Sequence, residues 1–96
     1  MNANFFEVPE RLWQQIAPLL PAERPKPRGG RPRIADRVVL AGIIYRLRTG
    51  CQWKALPRQF GSGSICHLRM QEWRRRGVFR RIHTTLVQYY RTKRGL

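Results

Sequence analysis

The sequence predicts an all-α protein, a small helical bundle containing a helix-turn-helix, on three observations. Apolar residues recur three and four positions apart in one segment after another, the spacing that lines one face of a helix. Between most of those segments stand glycine and proline, the residues that stop helices. Strand-like alternation of β-branched and polar residues is nearly absent. At 96 residues, 42% of them apolar, the chain is long enough for one domain and too apolar for a disordered basic tail.

Residues 1–20 read as an N-terminal amphipathic helix, in which Leu12, Trp13, Ile16, Leu19 and Leu20 repeat at helical spacing. Pro9 suits its first helical position, and Glu10 suits the positive end of its dipole. Residues 21–34 form a basic Pro/Gly-rich arm, with prolines at 21, 25, 27 and 32 and paired glycines at 29 and 30. Residues 35–92 make up the helix-turn-helix unit, and residues 93–96 a frayed tail. Within that unit a helix starts near Ala35 or Asp36 and runs to Thr49. Val38, Val39, Ile43, Ile44 and Leu47 supply its apolar face, Arg46 and Arg48 complement its last turn, and Gly50 ends it. Trp53, Leu56 and Phe60 keep helical spacing but Pro57 interrupts them, so a turn leading into a short helix or helical turn is expected. A corner at Gly61, Ser62 and Gly63 then opens a helix running to Arg76 and stopped by Gly77, with Cys66, Met70 and Trp73 facing inward. The last helix runs from Val78 to about Thr92 on Val78, Phe79, Ile82, Leu86, Val87 and Tyr90. Trp13, Trp53, Trp73 and Phe60 all fall on apolar faces and are expected in the core.

Charge is the second strong signal. The chain carries a formal +15, from 20 Lys and Arg against 5 Asp and Glu. The excess is uneven: residues 1–23 hold Arg11 against Glu7, Glu10 and Glu23, whereas residues 24–96 hold 19 basic groups against Asp36 and Glu72. Such a field repels itself unless a polyanion neutralises it, and nucleic acid is the commonest polyanion for a small basic domain. The longest apolar run, Val38–Tyr45, is far short of the ~20 residues a membrane span needs. No basic start and apolar core of a signal peptide precede Glu7, so a cytoplasmic, nucleoid-associated location and no membrane partner are expected.

The stretch from Trp53 to Trp73 has the order helix, glycine-containing turn, helix. In that arrangement the second helix enters the DNA major groove and its early residues meet base edges. Ser64, His67, Leu68 and Gln71 are therefore the candidate base contacts. Arg58, Arg69, Arg74, Arg75 and Arg76, with Arg28 from the arm, are the candidate phosphate contacts, and Arg80 and Arg81 extend the cluster past Gly77. Gly30, Arg31 and Arg33 have the logic of a minor-groove arm: glycine allows close approach, Pro32 keeps the chain extended, and arginine favours the narrow groove of A·T-rich DNA.

Catalytic chemistry is poorly supplied. Beyond the arm only Asp36 and Glu72 are acidic, too few for a two-metal carboxylate site. No nucleophile elbow or phosphate-binding glycine loop occurs. Cys51, Cys66, His67 and His83 lack zinc-site spacing. No catalytic residue, metal site or cofactor is expected in this chain.

One series of residues is more specific. Trp13-x-x-Ile16-x-Pro18-Leu19-Leu20-Pro21 is followed by Gly30-Arg31-Pro32-Arg33 and Asp36-Arg37-x-Val39-Leu40-x-Gly42-Ile43. Leu47-Arg48-Thr49-Gly50-Cys51-x-Trp53-x-x-Leu56-Pro57, Phe60-Gly61 and Trp73-x-x-x-Gly77-Val78 complete it. In order and spacing this closely resembles the N-terminal domain of bacterial insertion-sequence transposases of the IS-five type. The resemblance implies an all-helical, non-catalytic domain that binds double-stranded DNA at the terminal inverted repeats of a mobile element. It also implies a separate Asp-Asp-Glu nuclease domain, the place where Mg²⁺ would act. On that reading the chain is the first frame of a split transposase or a truncated one, and its protein partner is a transposase dimer or the full-length frameshifted transposase. A stand-alone DNA- or RNA-binding regulator is the other reading of the same charge, although RNA recognition calls for exposed aromatics that the sequence offers sparingly. If the arm enters the minor groove, Arg31→Ala and Arg33→Ala will weaken binding most on A·T-rich flanks. Equal losses on every flank in a titration of labelled duplexes would refute that role.

Overall fold

A computed structural model describes residues 7–21 and 34–93, and the regular elements among these residues are all helices, without a strand. Gly30, Arg31, Arg33 and Arg28 of the arm lie outside the described residues. Helix α1 spans Glu10–Ile16. Pro9 stands one residue before it rather than within it, because its ψ of 143° is extended while its carbonyl already accepts from the Trp13 amide at 2.9 Å. The α-helix also stops earlier than its apolar spacing suggests. Pro18 has no amide to continue the ladder, and Ala17–Leu19 tighten into a 3₁₀ turn.

Helix α2, Asp36–Thr49, is the central element. Gly50 closes it in the left-handed conformation, φ 72°, with its amide on the Arg46 carbonyl at 2.8 Å. Its buried surface differs from the expected stripe. Val39, Leu40 and Ile43 are fully buried, while Val38 and Leu47 are exposed at 38% and 46%. Val38 falls on the opposite side of the helix from Ile43. Leu47 stays in line with the buried stripe but lies a turn beyond it. Gly42 marks the closest approach of α2 to its neighbours: a Cβ there would sit 2.8 Å from Cβ of Phe60 and 3.1 Å from Sγ of Cys66.

The proline-interrupted stretch folds as two 3₁₀ turns, Trp53–Ala55 and Arg58–Phe60, which bury Leu56 and Phe60. Gly61 turns the chain at φ 86°, and the Ser62 hydroxyl accepts the Ile65 amide at 3.1 Å to cap α3, Gly63–Arg75. Gly63 opens this helix for a steric reason, since any side chain there would run into the Trp53 carbonyl. Cys66, Met70 and Trp73 face inward as the spacing predicts. The Cys66 thiol donates to the Phe60 carbonyl at 3.3 Å, and burial pushes its pKa up, with nearby Arg69 acting against that rise. Gly77, φ 78°, separates α3 from α4, Phe79–Lys93, which buries Ile82 and Leu86 against α1 and α3.

Two consecutive residues at the start of α2 tie it to α1 and α3. Arg37 pairs with Glu10 of α1 at 2.8 Å and donates to the Val8 carbonyl at 2.9 Å. Asp36 accepts from Arg69 of α3 at 3.0 Å, and the same guanidinium nitrogen donates to the Ile34 carbonyl at 2.6 Å. Arg69 is only 7% exposed, so the expected phosphate contact is corrected: this cation is used inside the fold. The reason is its position, three residues after Cys66 and four before Trp73, which turns it toward the core.

Removing Arg69 would leave Asp36 without its buried cation, and Arg69→Ala is expected to cost about 3 kcal/mol. In a thermal melt that is a fall on the order of 10–20 °C for a domain of this size; an unchanged melting temperature would contradict the buried pair. The two tryptophans next to α3 separate as well. Trp73 is 1% exposed and Trp73→Ala should cost about 3–5 kcal/mol, whereas half-buried Trp53 should cost distinctly less. Equal losses in chemical denaturation would overturn that ordering.

Candidate nucleic-acid interface

The capped N-terminus and the inward anchors of α3 determine what it presents outward. At about 100° per residue, Ser64, Leu68, Gln71 and Arg75 form one stripe on the side of the helix opposite Cys66 and Trp73. All four are exposed, Leu68 at 63%. A large apolar side chain held that far into solvent beside a serine and an amide is a mixed surface suited to base edges and a thymine methyl. Three of the four candidate base contacts are thereby brought together.

The fourth, His67, is placed differently. It is half-buried on the flank of α3, and its ring stacks on Trp53 at a centroid distance of 5.0 Å and an angle of 12°. The candidate phosphate contacts also divide. Arg58 is exposed on the second 3₁₀ turn and Arg75 stands on the outward stripe. Arg76 approaches Glu72 at 3.8 Å, a long, solvent-screened contact worth little. Arg74 lies 6.0 Å above the Phe79 ring, at the junction with α4. Arg69 is internal, as described above.

Beside the outward stripe runs an open groove of about 870 Å³, between α3 and the start of α4, with the last turn of α2 as its third side. His67 and Arg74 line it together with Arg46, Arg80 and His83. The Arg46 guanidinium lies 4.5 Å from the Trp53 ring centroid, and its Nε is buried without a hydrogen-bond partner. Arg46 and His83 are the contributors that sequence reasoning missed. Arg46 has a sufficient local explanation as a cation at a helix C-terminus, and nothing in its neighbourhood in sequence signals that α3 and α4 meet there.

Three carboxylates are each paired with an arginine, which leaves these surfaces positive: Glu10 is held by Arg37, Asp36 by Arg69, and Glu72 leans toward Arg76. None of the described residues lining the groove is acidic. Among the described residues no group of three His, Cys, Asp or Glu gathers as metal ligands would, and no helix is long and apolar enough to cross a membrane.

Comparison with known proteins agrees with the motif series. The family described as "Putative transposase of IS4/5 family (DUF4096)" matches residues 8–83. The insertion element IS402 uncharacterized 16.2 kDa protein of Burkholderia cepacia is 40% identical over 86 residues, covering 83% of this chain and 57% of that relative. The chain thus spans little more than half the length of the curated relative it matches. No solved structure matches it. The family match extends from the residue before Pro9, through the α2 hub and α3, into α4, and so takes in every element that builds the two surfaces: this chain belongs to the IS4/5 family of insertion-sequence transposases.

Proposed function

We propose that this chain is the DNA-recognition module of an insertion-sequence transposase, binding the terminal inverted repeats of the element, while strand cleavage and joining belong to an Asp-Asp-Glu nuclease domain that residues 1–96 do not contain. The observation that carries the reading is the outward stripe of α3, Ser64, Leu68, Gln71 and Arg75, presented by a helix whose opposite side is fully anchored. In this reading the two 3₁₀ turns at Trp53–Phe60 take the place of the first helix of a helix-turn-helix, and α3 is the recognition helix in the major groove. Arg28, Arg58, Arg74, Arg75 and Arg76 position it on the phosphates, and Gly30, Arg31 and Arg33 continue into the neighbouring minor groove.

The docking has a physical basis on both sides. A duplex neutralises the field that the paired carboxylates leave uncompensated, and released counterions supply most of the affinity. Sequence preference comes from the few side chains that reach base edges, so affinity and preference should respond to different substitutions.

A fluorescence-anisotropy titration separates them. The chain should prefer the element's inverted repeat over random duplex and lose about 10³–10⁵ in affinity between 50 and 200 mM salt if six to ten phosphates are contacted. Gln71→Ala and Leu68→Ala should reduce discrimination by about 1–3 kcal/mol while leaving the salt response unchanged. Equal binding to both duplexes, or stronger binding to structured RNA, would overturn the proposal.

A further inference from the structure

Two aromatic rings organise the groove beside α3 in the same way. Trp53 carries Arg46 over its ring at 4.5 Å and stacks with His67 at 5.0 Å. Phe79 carries Arg74 at 6.0 Å and stacks with His83 at 6.3 Å. Each ring therefore holds one guanidinium and one imidazole, and all four of those groups line a single groove, joined there by Arg80. The trios are assembled from separate elements: the last turn of α2, the first 3₁₀ turn, α3 and α4.

Ring contacts restrict the rotamers of these side chains before any ligand arrives. A long arginine normally loses considerable freedom when it binds an anion, and arginines already stacked lose less. Stacking also leaves the guanidinium edge, where the N–H donors lie, available for hydrogen bonding. Arg46 adds an unusual feature, a buried Nε with no partner. That atom is closed to solvent, so an anion in the groove can reach only the terminal N–H groups of this guanidinium. Imidazoles add N–H donors whether neutral or protonated.

We propose that this groove is a preorganised phosphodiester site that grips the backbone of one DNA strand beside the recognition face of α3, with Arg46, Arg74 and Arg80 as its cations and His67 and His83 as its hydrogen-bond donors. The proposal rests on the DNA-binding reading above and adds a division within it. The outward stripe reads bases, while the groove holds backbone and is indifferent to sequence. His67 accordingly belongs to the groove and not to the base-reading stripe.

The test compares salt dependence among variants of equal charge change. Arg46→Gln and Arg80→Gln should each lower the slope of log affinity against log salt by about 0.9, the loss of one phosphate contact, with preference for the inverted repeat retained. Arg91→Gln, on the far part of α4, should leave the slope unchanged. Arg80 is exposed, so its variant reports even if Arg46→Gln disturbs folding. Inorganic pyrophosphate should independently shift the imidazole NMR signals of His67 and His83 in the wild-type chain, and not in the Arg46→Gln/Arg80→Gln double variant. Unchanged slopes in the groove variants, the same loss in Arg91→Gln, or imidazole signals that ignore pyrophosphate would each overturn the site. A chain that shows no preference for the inverted repeat but retains the pyrophosphate response would instead refute the function proposed above and leave the anion site standing.

Discussion

The buried ion pair between Arg69 and Asp36 is the constraint on which the arrangement of the helices depends. It joins the middle of α3 to the first turn of α2, with Arg69 7% and Asp36 17% exposed. Taking an arginine out of water is expensive, and the same guanidinium's bond to the Ile34 carbonyl helps make the burial tolerable. Well-packed apolar pairs are often as stable as buried ion pairs, so what this pair contributes is direction: it is satisfied only when α3 lies at one height along α2. On the other side Arg37 makes a more solvent-exposed and weaker connection to α1, through Glu10 and the Val8 carbonyl. Adjacent residues of opposite charge thus orient two different helices.

Close contact then fixes what electrostatics has oriented. Gly42 lets the turn at Phe60 and the thiol of Cys66 come against the α2 backbone, and Gly63 lets α3 begin beneath the Trp53 carbonyl. Trp53 is consequently held between the first turn of α3 and the last turn of α2, where it meets both His67 and Arg46. The geometry of the groove therefore follows from two missing side chains as much as from the arginines that line it.

Much of this was legible in the residues and some was not. Periodicity located α2 through α4 to within a residue or two, because Gly50 and Gly77 are helix stops whose positive φ the structure confirms. The inward face of α3 and the outward exposure of Ser64, Leu68 and Gln71 follow from one periodic pattern. In so basic a chain an arginine is expected at the surface, so charge alone reads Arg69 as a phosphate contact, whereas its place in the Cys66–Trp73 stripe points inward. Leu40 was absent from the expected core and Val38 wrongly included, since a helix packed on more than one side does not keep a single narrow stripe. The groove could not be read at all, because Arg46, His67 and His83 meet only through tertiary packing.

The bond from Arg69 to the Ile34 carbonyl also acts as the fixed end of a tether. Ile34 is the residue at which the arm joins the folded unit, and it is fastened to the helix proposed to read the major groove. Six residues separate that point from the far end of the Arg28–Arg33 stretch, a contour of at most ~20 Å. If the arm follows DNA as proposed, then at ~3.4 Å of rise per base pair its backbone would extend no more than about six base pairs from its anchor. Minor-groove and major-groove contacts would then fall within one short, contiguous stretch of each inverted repeat, with their spacing set by the length of a peptide strap.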